Sequence, residues 1–239
     1  MKELKAIKRA TRNLVLVAVI VLGLTLSAAA TVQAAAPAAA VKVAVLDTGI
    51  DATHTALNGR VTASINLTDS RTETDVQGHG THIAGIIASN AGNVEILNIK
   101  VAGDNGITSP ETIAKGIIWA VENGARIINI SLAVKETSED LEKAVALAIE
   151  KRIVVVAAAG NSGAAAPAYP AAYPGVVSVG AVNSQGKITA WSNGGTAVST
   201  TAPGVNILST LPGGEWGVKS GTSQAAARVT ASIAAGLSN

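Results

Sequence analysis

From residue 41 to residue 182 the sequence alternates short β-branched runs with longer stretches of helical period, and this alternation restricts the fold more than any other feature. Strands are expected at 41–46, 95–101, 126–131, 153–159 and 176–182, with a weaker edge strand at 61–67 and shorter strand-like pieces on to Ser209. Helices fall between them. One is expected over 110–123, with Pro110 in its first turn and Gly124 just past its end. Another is expected over 138–151, where Leu141, Val145, Ala148 and Ile149 are apolar and Glu139, Asp140, Glu142 and Glu150 face outward. A third starts near His79 and continues a helical face through Ala84, Ile87 and Ala88, and an alanine-rich one follows Ser223. Such alternation implies crossover connections, which are right-handed in nearly all parallel sheets. The chain is therefore expected to be α/β, with three α/β/α layers around a mostly parallel, doubly wound sheet. Composition agrees: the chain is 48% hydrophobic but only 2% aromatic, with no Phe, so its core must be built from Val, Ile, Leu and Ala.

The N-terminus has a different character. Lys2, Lys5, Lys8, Arg9 and Arg12 precede an apolar run at 14–26, and Val32-Gln33-Ala34 offers a cleavage box. Residues 1–34 are therefore expected to be a secretory signal peptide, 35–40 a low-complexity linker, and 41–239 a single domain. The alternative is an uncleaved anchor, and contact with a membrane is expected only in that case. Residues 1–34 carry five basic residues and one acidic residue, so without them the formal charge of +2 becomes −2. The remaining domain shows no basic surface of the kind that binds nucleic acid. With no cysteine, disulfides and thiolate metal sites are excluded.

Chemistry concentrates at a few junctions. Ser220-Gly221-Thr222-Ser223 leads directly into the last helix, where a serine can serve as a cap or as a nucleophile. Asp47 ends the first strand and is followed by Thr48-Gly49, which is turn chemistry as well as a site at a strand's C-terminal end. His79 lies between Gly78 and Gly80 at a helix start. His79 and His82 are three residues apart and could share a metal, but no third ligand follows in a recognisable order. Asp51, His54, Asp69 and Asp75 are expected to be solvated loop residues. A serine attacks a carbonyl only when a base takes its proton and a third group orients that base. Asp47, His79 and Ser223 supply these three types, and the amide of Asn161 supplies a donor for the charge that develops on the attacked oxygen.

Four blocks in this order resemble the subtilisin-like serine proteases: Val45-Leu46-Asp47-Thr48-Gly49-Ile50-Asp51, Gly78-His79-Gly80-Thr81-His82-Ile83-Ala84-Gly85, Ala157-Ala158-Ala159-Gly160-Asn161 and Ser220-Gly221-Thr222-Ser223. The resemblance implies a secreted serine endopeptidase in which Asp47 orients, His79 is general base and then acid, and Ser223 is the nucleophile. Asn161 and the Ser223 backbone N–H would form the oxyanion hole. It also implies an extended polypeptide bound between 103–108, including Gly106, and 131–134, including Ser131 and Leu132, with Ala158, Ala159 and Gly160 beside the primary pocket.

The chain departs from the family pattern in several places. Ala133-Val134 stands where Gly-Gly is usual, and the metal-bearing His-Pro-Asp-Leu is His54-Thr55-Ala56-Leu57. With the carboxylate gone and the loop at 89–94 short, the family calcium site is expected to be absent, and no cofactor is expected. The usual proline after the nucleophile motif is Ala227, and the domain is expected to be short at its C-terminal end. A non-catalytic, secreted peptide-binding relative is the alternative from another functional class.

Overall fold

The computed structural model describes residues 39–238, so the expected signal peptide and most of the linker lie outside the described residues. Seven strands form one sheet: β1 (Val41–Asp47), β2 (Val61–Asn66), β3 (Val94–Lys100), β4 (Ile127–Ile130), β5 (Val154–Ala158), β6 (Val177–Val182) and β7 (Thr200–Pro203). Their spatial order is β2-β3-β1-β4-β5-β6-β7, and every neighbouring pair is parallel. The architecture is the expected α/β/α sandwich.

The pleat of each central strand divides the core in two. Val43 and Val45 of β1, with Val156 and Ala158 of β5, pack on helices α1 (His79–Asn90) and α4 (Thr222–Leu237). Ala44 and Leu46, with Ile128, Ile130, Val155 and Ala157, pack on α2 (Pro110–Glu122) and α3 (Glu139–Glu150). Both faces are covered, which is why the strands read as continuous apolar runs instead of alternating ones.

A separate antiparallel hairpin, β8 (Ile207–Thr210) and β9 (Trp216–Lys219), packs by α1 and carries an inverted pattern. Ser209 and Thr210 are buried, while Leu208 and Val218 are exposed. The buried hydroxyls have acceptors: Ser209 Oγ donates to the His82 carbonyl at 2.7 Å, and Thr210 Oγ1 to the Thr81 carbonyl at 2.8 Å.

The strand order reverses at β1, which has β3 on one side and β4 on the other. Beyond the C-terminal ends of strands at such a switch point a crevice opens, because the loops leave in opposite directions. Asp47 ends β1, Ser131 follows β4, and Asn161 lies three residues past β5. The first turns of α1 and α4 contribute His79 and Ser223 to the same edge.

Candidate active site

Asp47 is fully buried at the end of β1. Its Oδ1 accepts from the Thr48 N–H at 2.8 Å and meets His79 Nδ1 at 2.7 Å. The strand end is held from β3 as well: Val101 and Ala102 N–H donate to the Asp47 carbonyl, and the buried Lys100 ammonium donates to the Thr48 carbonyl and pairs with Asp104 at 2.9 Å. Close approach of α1 requires a glycine beside the histidine. A Cβ on Gly80 would lie 2.1 Å from the Gly49 carbonyl oxygen and 3.0 Å from Asp47 Cβ.

The His79 side chain is 20% exposed, and with Nδ1 engaged by Asp47 its Nε2 is the nitrogen left to the cleft it lines. Burial of the ring pulls its pKa down. The charge and hydrogen bond of Asp47 pull it up, Lys219 opposes them and Asp75 adds to them, and the net effect is a pKa above the ordinary 6.5. His82 has a separate fate. Its Nε2 faces the carbonyls of Ile207 and Gly217 at 3.1 and 3.2 Å, and burial lowers its pKa. A neutral ring donating to the hairpin fits this setting, and the two histidines are committed to different partners.

Ser223 is the second residue of α4, where helix geometry leaves its N–H without an intrahelical acceptor. Its hydroxyl donates to the Ser131 carbonyl at 2.9 Å, and no hydrogen bond joins it to His79. The Ser131 hydroxyl returns a bond to the Ser223 carbonyl at 3.2 Å, so the two segments are laced together. Asn161 Oδ1 accepts from both the N–H and the hydroxyl of Thr222, at 2.9 and 2.8 Å. Asn161 lines the cleft, and with its oxygen engaged by Thr222 its amide nitrogen is the group left to act as a donor there. Gly160, at φ +106°, takes a backbone conformation that side chains resist, and its N–H donates to the Thr222 hydroxyl at 3.1 Å.

The cleft has a volume of about 190 Å³, and His79, Asn161, Ser223, Gly106, Ser131, Leu132 and Gly160 all line it. Ala159 does not. It is fully buried, its N–H donates to the Val179 carbonyl, and its carbonyl accepts from Ala168 N–H and Asn193 Nδ2. Ala158 and the exposed Ala133 form the wall instead.

Three residues expected to be solvated are buried. Asp51 takes bonds from Thr53 and from the Gly213 N–H, His54 accepts from the Ala56 N–H and stacks edge-on against Trp216, and Asp75 braces the start of α1. Asp75 was missed as the brace of α1 because it lies three residues ahead of the N-cap Gly78, outside the position that a local capping pattern marks. Thr222 was also missed as the group that orients Asn161. At 54–57 the side chains offer no carboxylate, and the two oxygens of Asp51 are engaged elsewhere, so these residues do not fit a calcium ion.

A family model described as the subtilase family matches residues 38–239. The chain is 41% identical over 199 residues to a thermophilic serine proteinase of Bacillus sp. (strain AK1), covering 79% of this chain and 50% of that protein. It is 40% identical over 211 residues to subtilisin E of Bacillus subtilis (strain 168), covering 83% and 55%, and to a subtilisin of Bacillus pumilus, covering 83% and 77%. The chain thus spans about half the length of several curated relatives it matches. The crystal structure of a cold adapted subtilisin-like serine proteinase superposes with a TM-score of 0.77 at 33% identity, covering 81% of this chain and 74% of that one.

Proposed function

The chain belongs to the subtilase family, and on that footing we propose that it is an exported serine endopeptidase that hydrolyses extended polypeptides through an acyl-enzyme. The observation that carries this reading is the 2.7 Å pairing of Asp47 with His79, in one cleft with the Ser223 hydroxyl and the free amide of Asn161. Polypeptide lies between the wall at Gly106 and the wall at Ser131 and Leu132, held by backbone hydrogen bonds.

The reaction begins when the Ser223 hydroxyl turns about χ1 from the Ser131 carbonyl towards His79 Nε2. His79 takes the proton as Oγ bonds to the substrate carbonyl carbon, and Asp47 stabilises the imidazolium. The carbonyl oxygen gains the negative charge and is met by Asn161 Nδ2 and the Ser223 N–H, with the positive end of α4 behind them. His79 then gives its proton to the leaving amine as the C–N bond breaks. Water repeats the sequence on the ester, with His79 again the base. Side chains and one backbone N–H supply every group these steps require.

The family calcium site is proposed to be lost at Ala56, so chelation is expected to leave the melting temperature unchanged. A large downward shift on adding chelator would contradict this. Export is supported by the basic and apolar pattern of residues 1–34, and no helix among the described residues is long and apolar enough to cross a membrane. One observation favours a second reading, a peptide-binding relative without turnover: the Ser223 hydroxyl is engaged by Ser131 and not by His79.

A pH–rate profile on a peptide substrate separates the two. Since His79 must be neutral to act, kcat/KM should rise with pH along a limb lying above the ordinary 6.5. A measurable rate that stays flat from acid to alkaline pH would remove His79 as base, and no rate at any pH in folded protein would favour the binding relative.

A further inference from the structure

Beside the site lies a second carboxylate that the reaction just described does not use. Asp75 sits in the connection between β2 and α1 and is 2% exposed. Its hydrogen bonds all go to the first turn of α1 or to the residue after Asp47. Oδ1 accepts from the Gly78 N–H at 2.8 Å and from the Thr48 hydroxyl at 2.9 Å, and Oδ2 accepts from the Thr81 N–H at 2.8 Å. The Thr48 hydroxyl in turn accepts from the Gly80 N–H at 2.9 Å. The N–H groups on both sides of His79 therefore end on one carboxylate, directly or through one hydroxyl. The helix needs this, because its N-cap residue, Gly78, has no side chain to offer.

An ordinary cap would satisfy the helix alone. This one also ties α1 to the end of β1 through Thr48, and that is the contact on which the meeting of His79 with Asp47 depends. Its charge is close to the ring as well. The charged and titratable groups facing His79 are Asp47 from β1, Asp75 from the loop, Lys219 from β9 and His82 one turn on in α1. The two carboxylates favour the imidazolium, and Lys219 opposes it.

We propose that Asp75 is a positioning residue for the general base, locking the first turn of α1 onto the end of β1 and lending its charge to the protonated ring. The proposal rests on His79 acting as the base. Asp75→Asn keeps the shape and removes the charge. Thr48→Val cuts the link to Gly80 and leaves the charge, and Thr48→Ser restores the link.

The first test needs no turnover. In a Ser223→Ala background, NMR titration of His79 should show its pKa lowered by Asp75→Asn, whether or not the chain cleaves peptides. In the active background the acid limb of kcat/KM should move to lower pH. There kcat should fall roughly ten- to a hundredfold with KM nearly unchanged, the scale on which small misplacements of a reacting group act. Thr48→Val should lose kcat, and Thr48→Ser should recover it. A His79 titration and a kcat that both stay put would overturn the proposal. So would a lower melting temperature with an unmoved pH limb, since Asp75 would then be a stabilising cap and nothing more. If Asp75→Asn does not fold, the two Thr48 variants decide, and equal kcat in both rejects the role. Failure of the parent chain to turn over any substrate would count against the proposed function and leave the titration to judge Asp75.

Discussion

Helices α2 and α3 each begin on a serine whose own hydroxyl accepts from the first turn: Ser109 Oγ from the Thr112 N–H and Ser138 Oγ from the Leu141 N–H, both at 3.2 Å. On the other face of the sheet, α1 and α4 begin on Gly78 and Gly221, and neither has a side-chain cap of its own. Their first N–H groups are met from a distance, by Asp75 and Thr48 at α1 and by Asn161 at α4. A local cap stabilises a helix and asks nothing of the rest of the fold. A remote one makes the helix start depend on a strand end, and that dependence brings His79 to Asp47 and sets Ser223 beside the Asn161 amide. At α4 the arrangement also leaves the Ser223 N–H free, because Asn161 spends its oxygen on Thr222 and keeps its nitrogen for the cleft.

The contrast can be broken from either side. The largest effect is expected at the remote cap of α4. Asn161→Ala should lower kcat roughly a hundred- to a thousandfold with KM little changed, a range that is subtilisin's own and not an independent forecast. Thr222→Val should cost less, about tenfold, because the amide stays and only its orientation loosens; unchanged kcat would detach Thr222 from the role assigned to it. The smallest effect belongs to the local caps. Ser138→Ala should cost about 1 kcal/mol of stability and leave kcat alone, as chemical denaturation and steady-state kinetics would report. A kinetic loss there would mean that the two faces are not independent.

The same contrast explains what could be read in advance. The helix expected at 110–123 is Pro110–Glu122, and the one expected at 138–151 is Glu139–Glu150, because their caps and apolar stripes are local, with Gly124 marking the end of the first. The sheet was legible for a similar reason, since strands buried on both faces leave runs such as Ile-Ile-Asn-Ile at β4. The hairpin at β8 and β9 was legible only as a strand-like piece ending near Ser209, because beside Ile207 its buried positions are hydroxyls bonded to α1 carbonyls, while Leu208, Trp216 and Val218 are exposed. Asp75 escaped because its partners come from Thr48 and Thr81 as well as its own neighbourhood, and a polar loop gives no hint of burial. Ala159 is expected beside the pocket from its neighbours in the motif, whereas it is fully buried, with its N–H and carbonyl bonded to Val179, Ala168 and Asn193. At the site, residue types and their order were visible in the sequence. The Asp47–His79 contact and the engagement of Ser223 with Ser131 depend on how the strand ends converge.

The central claim is that Ser223 is a nucleophile served by His79 and not simply a helix-start serine. A fluorophosphonate probe, read by intact mass and peptide mapping, tests it most directly. Labelling should fall on Ser223 alone, disappear in Ser223→Ala and slow by orders of magnitude in His79→Ala. Folded protein that remains unlabelled, or labelling that is indifferent to His79, would contradict the claim.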